Sequence, residues 1–161
     1  MSSLHDAFIA GRLRDPHTGA PLQRRGDALC AGNAGTRYPI VRGIPRFVPN
    51  DNYADSFGFE WNRHPHTQLD SVRNARDSEE QLILKTGLSP EQVRGRLVLD
   101  AGVGAGRYTD VLLRWGARVV GVDLSDAVDA AAVNFRDHHN FFPVQANIAQ
   151  LPFEKETFDF I

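Results

Sequence analysis

The 161-residue chain contains a single cysteine, Cys30, and no run of 18 consecutive apolar residues. One thiol forms neither an internal disulfide nor a multi-thiolate metal site, and a shorter apolar run does not cross a bilayer as a helix. The first residues also lack a basic region followed by an apolar run, which a secretory leader requires. These absences predict a cytoplasmic protein with no membrane span and no bound metal.

Strong charge of either sign is absent as well. The chain has 18 Lys and Arg against 20 Asp and Glu, for a formal net charge of -2 and a sequence pI of about 6.3. A general electrostatic attraction to nucleic acid or to an anionic membrane is therefore not expected. The hydrophobic content of 42% is sufficient for a folded core. Binding partners must be inferred from local motifs.

Composition divides the chain into three segments. Residues 1–49 combine short apolar stretches with many turn residues, which predicts a small β-rich module. Residues 50–95 predict an aromatic and helical linker or cap, with one helix over 78–86 that Ser78 caps and Gly87 ends. Leu82 and Ile83 would supply its apolar face, and a second short helix would begin at Ser89-Pro90.

Residues 96–161 alternate between strand and helix patterns. The apolar runs predict strands over 96–100, 117–123 and 142–146 and the start of a fourth over 157–161, with helices over 106–115 and from Ser125 through Phe135. Short connections between such elements predict a parallel sheet. The fold class is therefore α/β, a Rossmann-like parallel sheet with helices on both faces, ending within its fourth strand and preceded by the β-rich module.

A glycine-rich turn, DAGVGAG, follows the first of these strands from Asp100 to Gly106. Open parallel sheets bind nucleotide-like ligands at the carboxyl ends of their strands, and glycines let a ligand approach the main chain. A dinucleotide fingerprint counted from Gly102 would need a glycine where Arg107 stands. The carboxylate of Asp100 also suits a ligand with a cationic amino group better than a pyrophosphate, which it would repel.

Two further strand ends carry residues suited to a nucleoside. Asp123 ends the second strand, and its carboxylate accepts two hydrogen bonds at once, as two ribose hydroxyls require. Leu124 follows and could pack against a base. Asn147 and Ile148 follow the third strand, where the amide of Asn147 can accept or donate a hydrogen bond. Alternatively, the glycines are simple turn residues and Asp123 is a helix cap.

In combination these motifs resemble class I S-adenosylmethionine-dependent methyltransferases, and among them the type 11 domain. The resemblance covers residues 98–107, 119–125, 145–148, 151–153 and 158–161. It implies S-adenosyl-L-methionine as cofactor and a small-molecule or lipid methyl acceptor. It also departs from the family at Asn147, where an Asp is usual. The implied cofactor-binding residues are Asp100, Ala101, Gly102, Gly104, Gly106, Asp123, Leu124, Asn147 and Ile148.

The front module resembles a second family, the zinc-ribbon-like Trm112 domain, through residues 15–22 and 38–47. The four zinc-ligand positions of that family correspond to Asp15, Thr18, Cys30 and Asn33, so three of four thiolates are missing. One thiolate does not build a tetrahedral zinc site. The resemblance therefore implies a metal-free module. His17 is either a surface histidine of a turn or, as the less favoured alternative, a substitute ligand.

The segment between the two modules carries three alternating aromatic residues, Phe57, Phe59 and Trp61. They could form a lid over the cofactor or attach the segment to the sheet. His64 and His66 have no acidic or thiolate partner at a useful spacing, and His138-His139 suggests a solvated helix end.

Methyl transfer requires no protein nucleophile, and in this family the acceptor site usually follows the fourth strand, so no catalytic residue is predicted. A sheet ending there would expose an apolar edge and favour self-association. The 161-residue chain alone is therefore expected to be inactive. Two other functions remain open: a dinucleotide-binding oxidoreductase using NAD(P), and a non-catalytic binding or scaffolding protein.

Overall fold

The structure is a computed structural model that describes residues 4–32, 35–48, 63 and 66–161. The predicted aromatic segment with Phe57, Phe59 and Trp61, together with Asn33 and His64, lies outside the described residues. In the described part of the chain the elements run in the order α1 Leu4–Ile9, β1 Leu22–Arg25, β2 Ala28–Ala31, β3 Arg37–Val41, β4 Ile44–Pro45, α2 Asp70–Arg73, α3 Asp77–Thr86, α4 Pro90–Val93, β5 Leu97–Ala101, α5 Arg107–Arg114, β6 Arg118–Asp123, α6 Ala127–Asn134 and β7 Phe141–Gln145.

Strands β5, β6 and β7 form the parallel sheet that the sequence predicts. Its strands are hydrogen-bonded in the order β5-β6-β7, with Val98 beside Val119 and Val119 beside Phe141. The prediction of an α/β protein built on a parallel sheet is thus confirmed. These strands are continuous apolar runs because both faces of the sheet are buried, so no face requires polar residues at alternate positions.

The predicted fourth strand is represented by one parallel bridge, between Phe160 and Val98. Two backbone hydrogen bonds flank the bridge: Asp159 N–H donates to the Leu97 carbonyl, and Leu99 N–H donates to the Phe160 carbonyl. Glu156 has a positive φ of 59° and belongs to a turn, so the chain reaches β5 later than the apolar pattern predicts. The bridge places residue 160 on the side of β5 opposite to β6.

One face of the sheet is covered by helices. Strand side chains on this face pack with residues of α3, α5 and α6 in a single buried cluster that includes Val98, Val119, Val111, Val128 and Phe135. The α5 and α6 helices follow consecutive strands of the sheet, and both present their apolar residues to this cluster.

The other face of the sheet is covered by the front segment, the described residues from 4 to 48. Phe8 of α1 stacks on Phe142 of β7 with ring centroids 5.1 Å apart. Buried Leu29 and Tyr38 from the front strands share a cluster with Leu99 and Val122. The sequence predicts helices on both faces, but within the described residues this face carries one short helix, α1, together with the front β-sheet. The division of the chain at residues 49 and 95 stays a prediction.

After α1, the front segment forms a sheet of four antiparallel strands in the order β1-β2-β3-β4. Its first turn is held by Asp15, whose carboxylate accepts the backbone N–H of His17 at 2.9 Å and of Thr18 at 3.0 Å. Asp15 is buried, and Cys30 is a buried thiol on β2. The Asp15 carboxylate therefore organises this turn through hydrogen bonds. The resemblance to Trm112 domains remains a prediction.

Helix α3 begins one residue earlier than predicted, and Ser78 is not its cap. The carboxylate of Asp70, in α2, accepts the backbone N–H of Ser78 at 3.1 Å and of Glu79 at 3.0 Å, so it fulfils the capping role from outside the helix. Arg114 of α5 lies 3.7 Å from the same carboxylate. Leu82 is buried as predicted, whereas Ile83 is 42% exposed, because only one residue of the pair points to the core. Gly87 ends the helix with a φ of 69°.

Gly106, which immediately precedes α5, packs against Phe135, which immediately follows α6. Gly106 has a φ of 96°, and a Cβ placed on it would lie 2.2 Å from the ring of Phe135. Gly87 also has a positive φ, but a Cβ there would meet no atom within 4 Å. The two glycines share backbone strain and differ in the space around them.

Gly106→Ala should therefore lower the free energy of unfolding more than Gly87→Ala does. Left-handed strain costs about 1–2 kcal/mol in both variants, and overpacking against Phe135 adds about 1–3 kcal/mol at position 106 alone. Urea denaturation measures both values. Phe135→Leu in the Gly106→Ala background should recover part of the loss. Equal losses at the two glycines would show that the contact with Phe135 is unimportant.

Candidate functional site

The glycine turn is anchored to the end of β6 by its own backbone. The N–H groups of Gly102 and Val103 both donate to the carbonyl of Val122, at 2.8 and 2.9 Å. Gly102 and Gly104 have φ values of 84° and 53°, a backbone conformation that residues with a side chain rarely adopt. The turn thus bends sharply over the carboxyl end of the sheet before α5 begins.

Gly102 and Gly106 have different environments. A Cβ on Gly102 would meet no atom within 4 Å, so this residue borders open space. Gly106 is buried and its missing side chain makes room for Phe135. The sequence groups Gly106 with the glycines that admit a ligand, but the structure assigns its lack of a side chain to helix packing.

Asp123 connects the end of β6 to the glycine turn. Its Oδ2 accepts the backbone N–H of Gly104 at 2.9 Å, and its Oδ1 accepts both the N–H and the hydroxyl of Ser125, at 2.9 and 2.7 Å. The carboxylate therefore faces the glycine turn, and the structure brings these two predicted features together.

Both features line one open cleft of about 420 Å³ at the carboxyl end of the sheet. Four of the predicted site residues line it: Asp100, Gly102, Gly104 and Asp123. The cleft also includes residues that the sequence did not single out as ligands, namely Gln68, Val103, Ala105, Arg107, Tyr108 and Ser125. Arg107 and Tyr108 are adjacent to the glycine motif and could have been proposed from it, but Gln68 carries no sequence signal.

Gln68 reaches the cleft because Ser78 holds the chain around it. The Ser78 hydroxyl donates to the backbone carbonyl of Gln68 at 3.3 Å and accepts the Nε–H of Arg107 at 3.1 Å. The Arg107 guanidinium also lies 5.3 Å from the centre of the Tyr108 ring. A cationic and an aromatic side chain therefore line the same cleft as the two carboxylates.

Asp100 is a partly buried carboxylate at the floor of the cleft. Burial raises its pKa above the ordinary value for aspartate, and the negative charge of Asp123 raises it further. The hydroxyl of Thr109 donates to Asp100 Oδ2 at 2.7 Å and partly offsets the loss of hydration. Two carboxylates that repel each other across a cleft gain stability when a cation binds between them.

The remaining predicted residues lie beside the cleft and do not line it. Ala101 is exposed, and Leu124 is half-buried after Asp123. Asn147 and the 59%-exposed Ile148 follow β7, and this loop is tied to β6 by a hydrogen bond of 2.9 Å from Ala146 N–H to the carbonyl of Asp123. Asn147 Oδ1 accepts the N–H of Ala149 at 2.9 Å, which closes a local turn.

Within the described residues no helix is long and apolar enough to span a bilayer. The same part of the chain holds no group of three or more His, Cys, Asp or Glu side chains arranged to bind a metal ion.

Residues 99–161 match the sequence model of a family described as "Methyltransferase domain". The matched segment contains the glycine turn, Asp123 and the loop after β7. This match supports the resemblance to a methyltransferase domain that the motifs of this segment predict. No curated protein matches the chain in sequence.

Solved structures that resemble the chain include the following three. The protein in the crystal structure of MccD protein is 23% identical to this chain, with a TM-score of 0.41. The match covers 53% of this chain and 38% of that protein's chain. Protein arginine methyltransferase 10 from Arabidopsis thaliana is 21% identical with a TM-score of 0.39, covering 55% and 25%. Phosphoethanolamine N-methyltransferase 1 from Haemonchus contortus, in complex with phosphoethanolamine and S-adenosylhomocysteine, has the same identity and TM-score and covers 63% and 23%. The chain spans less than two fifths of each of these structures.

The raised pKa of Asp100 predicts opposite effects of one substitution on stability and on binding. Because the folded-state pKa of Asp100 is raised, its ionisation destabilises the fold: the stability present below the unfolded pKa is lost as the pH rises through the folded pKa. Asp100→Asn removes the charge while keeping an acceptor for Thr109. We expect a higher melting temperature at pH 7, together with affinity for an amino-bearing ligand about 10-fold lower.

Thermal unfolding and calorimetric titration with S-adenosylhomocysteine measure the two effects. The exposed Asp137, substituted by Asn, serves as the control and should change neither. Wild-type affinity should also fall on acidification through the raised pKa of Asp100, and this pH dependence should disappear in Asp100→Asn. A less stable variant with unchanged affinity would contradict this account of Asp100.

Proposed function

We propose that this chain binds S-adenosyl-L-methionine in the cleft between the glycine turn and Asp123, and that it contributes this site to methyl transfer onto a small-molecule or lipid acceptor. The observation that carries the proposal is the meeting of Asp100, Gly102 and Asp123 in one open cleft within the segment that matches the methyltransferase domain.

The charges and shapes of the cleft fit the amino-acid end of this cofactor. The Asp100 carboxylate would bind the α-amino group, which would also relieve its repulsion with Asp123. Gly102 borders open space, so a ligand can approach the main chain there. Arg107, at the first position of α5, would pair with the α-carboxylate.

The nucleoside end would lie over Asp123. A carboxylate has about four acceptor positions, and three protein donors, from Gly104 and Ser125, already occupy part of that capacity. One ribose hydroxyl therefore finds a free position, and a second would displace or share with the Ser125 hydroxyl. Leu124 and Ile148 would flank the adenine, and Asn147 would donate from its Nδ2 because its Oδ1 is engaged by Ala149.

When bound, the cofactor supplies a methyl group on a sulfonium, and the protein's task is to hold it in line with the acceptor. In this cleft the chain binds and orients the cofactor through Asp100, the glycine turn and Asp123. No side chain is proposed as a nucleophile or general base.

Calorimetric titration with S-adenosylhomocysteine and with NAD separates the two cofactor classes. The two carboxylates of the cleft favour a ligand with a cationic amino group and repel a pyrophosphate, so we expect binding of the first ligand and none of the second. Asp123→Ala should weaken S-adenosylhomocysteine binding about 10-fold or more, from the loss of charge-assisted hydrogen bonds.

Asp137→Ala, on the exposed surface, is the matched control and should bind like the wild type. Preferential binding of NAD would favour an oxidoreductase. The absence of binding by either ligand would favour a non-catalytic scaffolding protein.

A further inference from the structure

Arg46, just after β4 in the front segment, is the feature that connects this segment to the candidate site. Its side chain is only 6% exposed, so its charge must be compensated by protein groups. The Nη2 group donates to both carboxylate oxygens of Asp129 in α6, at 2.8 and 3.0 Å. The Nη1 group donates to Oε1 of Gln145 at 3.1 Å.

Gln145, the last residue of β7, connects Arg46 to the loop after β6 through its side-chain amide. Its Nε2 group donates to the backbone carbonyl of Leu124 at 3.1 Å and to Oδ1 of Asp126 at 3.2 Å. Because Oε1 faces Arg46, the amide is oriented with its two donor hydrogens toward the loop after β6. The Gln145 backbone carbonyl accepts Phe47 N–H at 2.8 Å, which joins the front segment to β7 directly.

We propose that Arg46 is a positioning residue for the nucleoside end of the cofactor site, acting through Gln145 on the loop formed by residues 123–126. This inference rests on the proposed function. Arg46 itself does not line the cleft. It fixes the donor that holds the carbonyl of Leu124, and it pairs with Asp129 and Asp126 at the start of α6. Asp123 and Ser125, whose hydrogen bonds shape the cleft, lie within this loop.

A second arginine of the front segment provides a matched comparison. Arg37 pairs with Asp27 at 3.1 Å, but both side chains are mostly exposed and neither contacts the parallel sheet through that pair. An exposed pair of this kind contributes little to stability. Arg37→Gln and Arg46→Gln therefore make the same chemical change in the same segment. Only Arg46 is connected to the loop.

The test uses two ligands: S-adenosylhomocysteine, and 5′-methylthioadenosine, which lacks the amino-acid end. Arg46→Gln should weaken both by the same factor, roughly 3- to 10-fold, whereas Arg37→Gln should change neither. Arg46→Lys should recover part of the loss, because an ammonium group pairs with Asp129 but does not reach both partners as a guanidinium does. Asp100→Asn should weaken S-adenosylhomocysteine alone. If Arg46→Gln spared 5′-methylthioadenosine, the proposal would be overturned.

Amide hydrogen exchange without ligand tests the connection independently of the cofactor. In Arg46→Gln the amides of Ser125 and Ala127, which donate to side chains of the loop, should exchange faster. The amide of Asp110, which donates to the Gly106 carbonyl at the start of α5, should not. Uniform acceleration, or none, would reject the positioning role. If the wild type bound neither ligand, the proposed function would fail while the exchange result still decided the connection.

If Arg46→Gln does not fold, Gln145→Met replaces it, since that variant keeps the ion pair of Arg46 with Asp129 and removes the donor to Leu124. The same exchange pattern and the same loss of affinity for both ligands are expected. Wild-type values would overturn the proposal.

Discussion

The attachment of the glycine turn to the end of β6 is the constraint on which the rest of the site depends. Two N–H groups of the turn share the Val122 carbonyl, and a third bonds to the Asp123 carboxylate. These contacts fix where α5 begins, and hence where Arg107 and Tyr108 stand relative to Asp100. A cleft organised in this way by a carboxylate would lose little conformational freedom if a ligand bound there.

The front segment belongs to the same hydrophobic core as the parallel sheet. Helices cover one face of the sheet, and α1 with the front strands covers the other, where Phe8 stacks on Phe142. A buried arginine at this junction is an expensive way to attach two units, because its charge must be matched in a poorly hydrated setting. Its partners, Asp129 and Gln145, lie beside the loop that carries Asp123. This placement is the basis for the proposal that Arg46 positions that loop.

Local patterns were sufficient for much of the fold and for part of the site. Apolar runs located β5, β6 and β7 to within one residue, and Gly87 marked the end of α3. Leu4 and Phe8, the i, i+4 apolar pair of α1, are visible in the sequence. A single pair is too short a pattern to predict a helix among so many turn residues. Propensity favoured Ser78 as a cap, yet Asp70 takes that role because tertiary packing brings a stronger acceptor to the same N–H groups. Gln68 enters the cleft for a similar reason.

The sequence by itself determined the order of strands and helices, the glycine turn, and the presence of carboxylates at the ends of β5 and β6, because each of these depends on residues close together along the chain. Tertiary structure alone decided that Gly106 serves helix packing, that the second face of the sheet is covered by the front segment, and that Arg46 meets Gln145. Such pairings join residues far apart in the chain. Spacing along the sequence does not predict which donor contacts which acceptor in the folded chain.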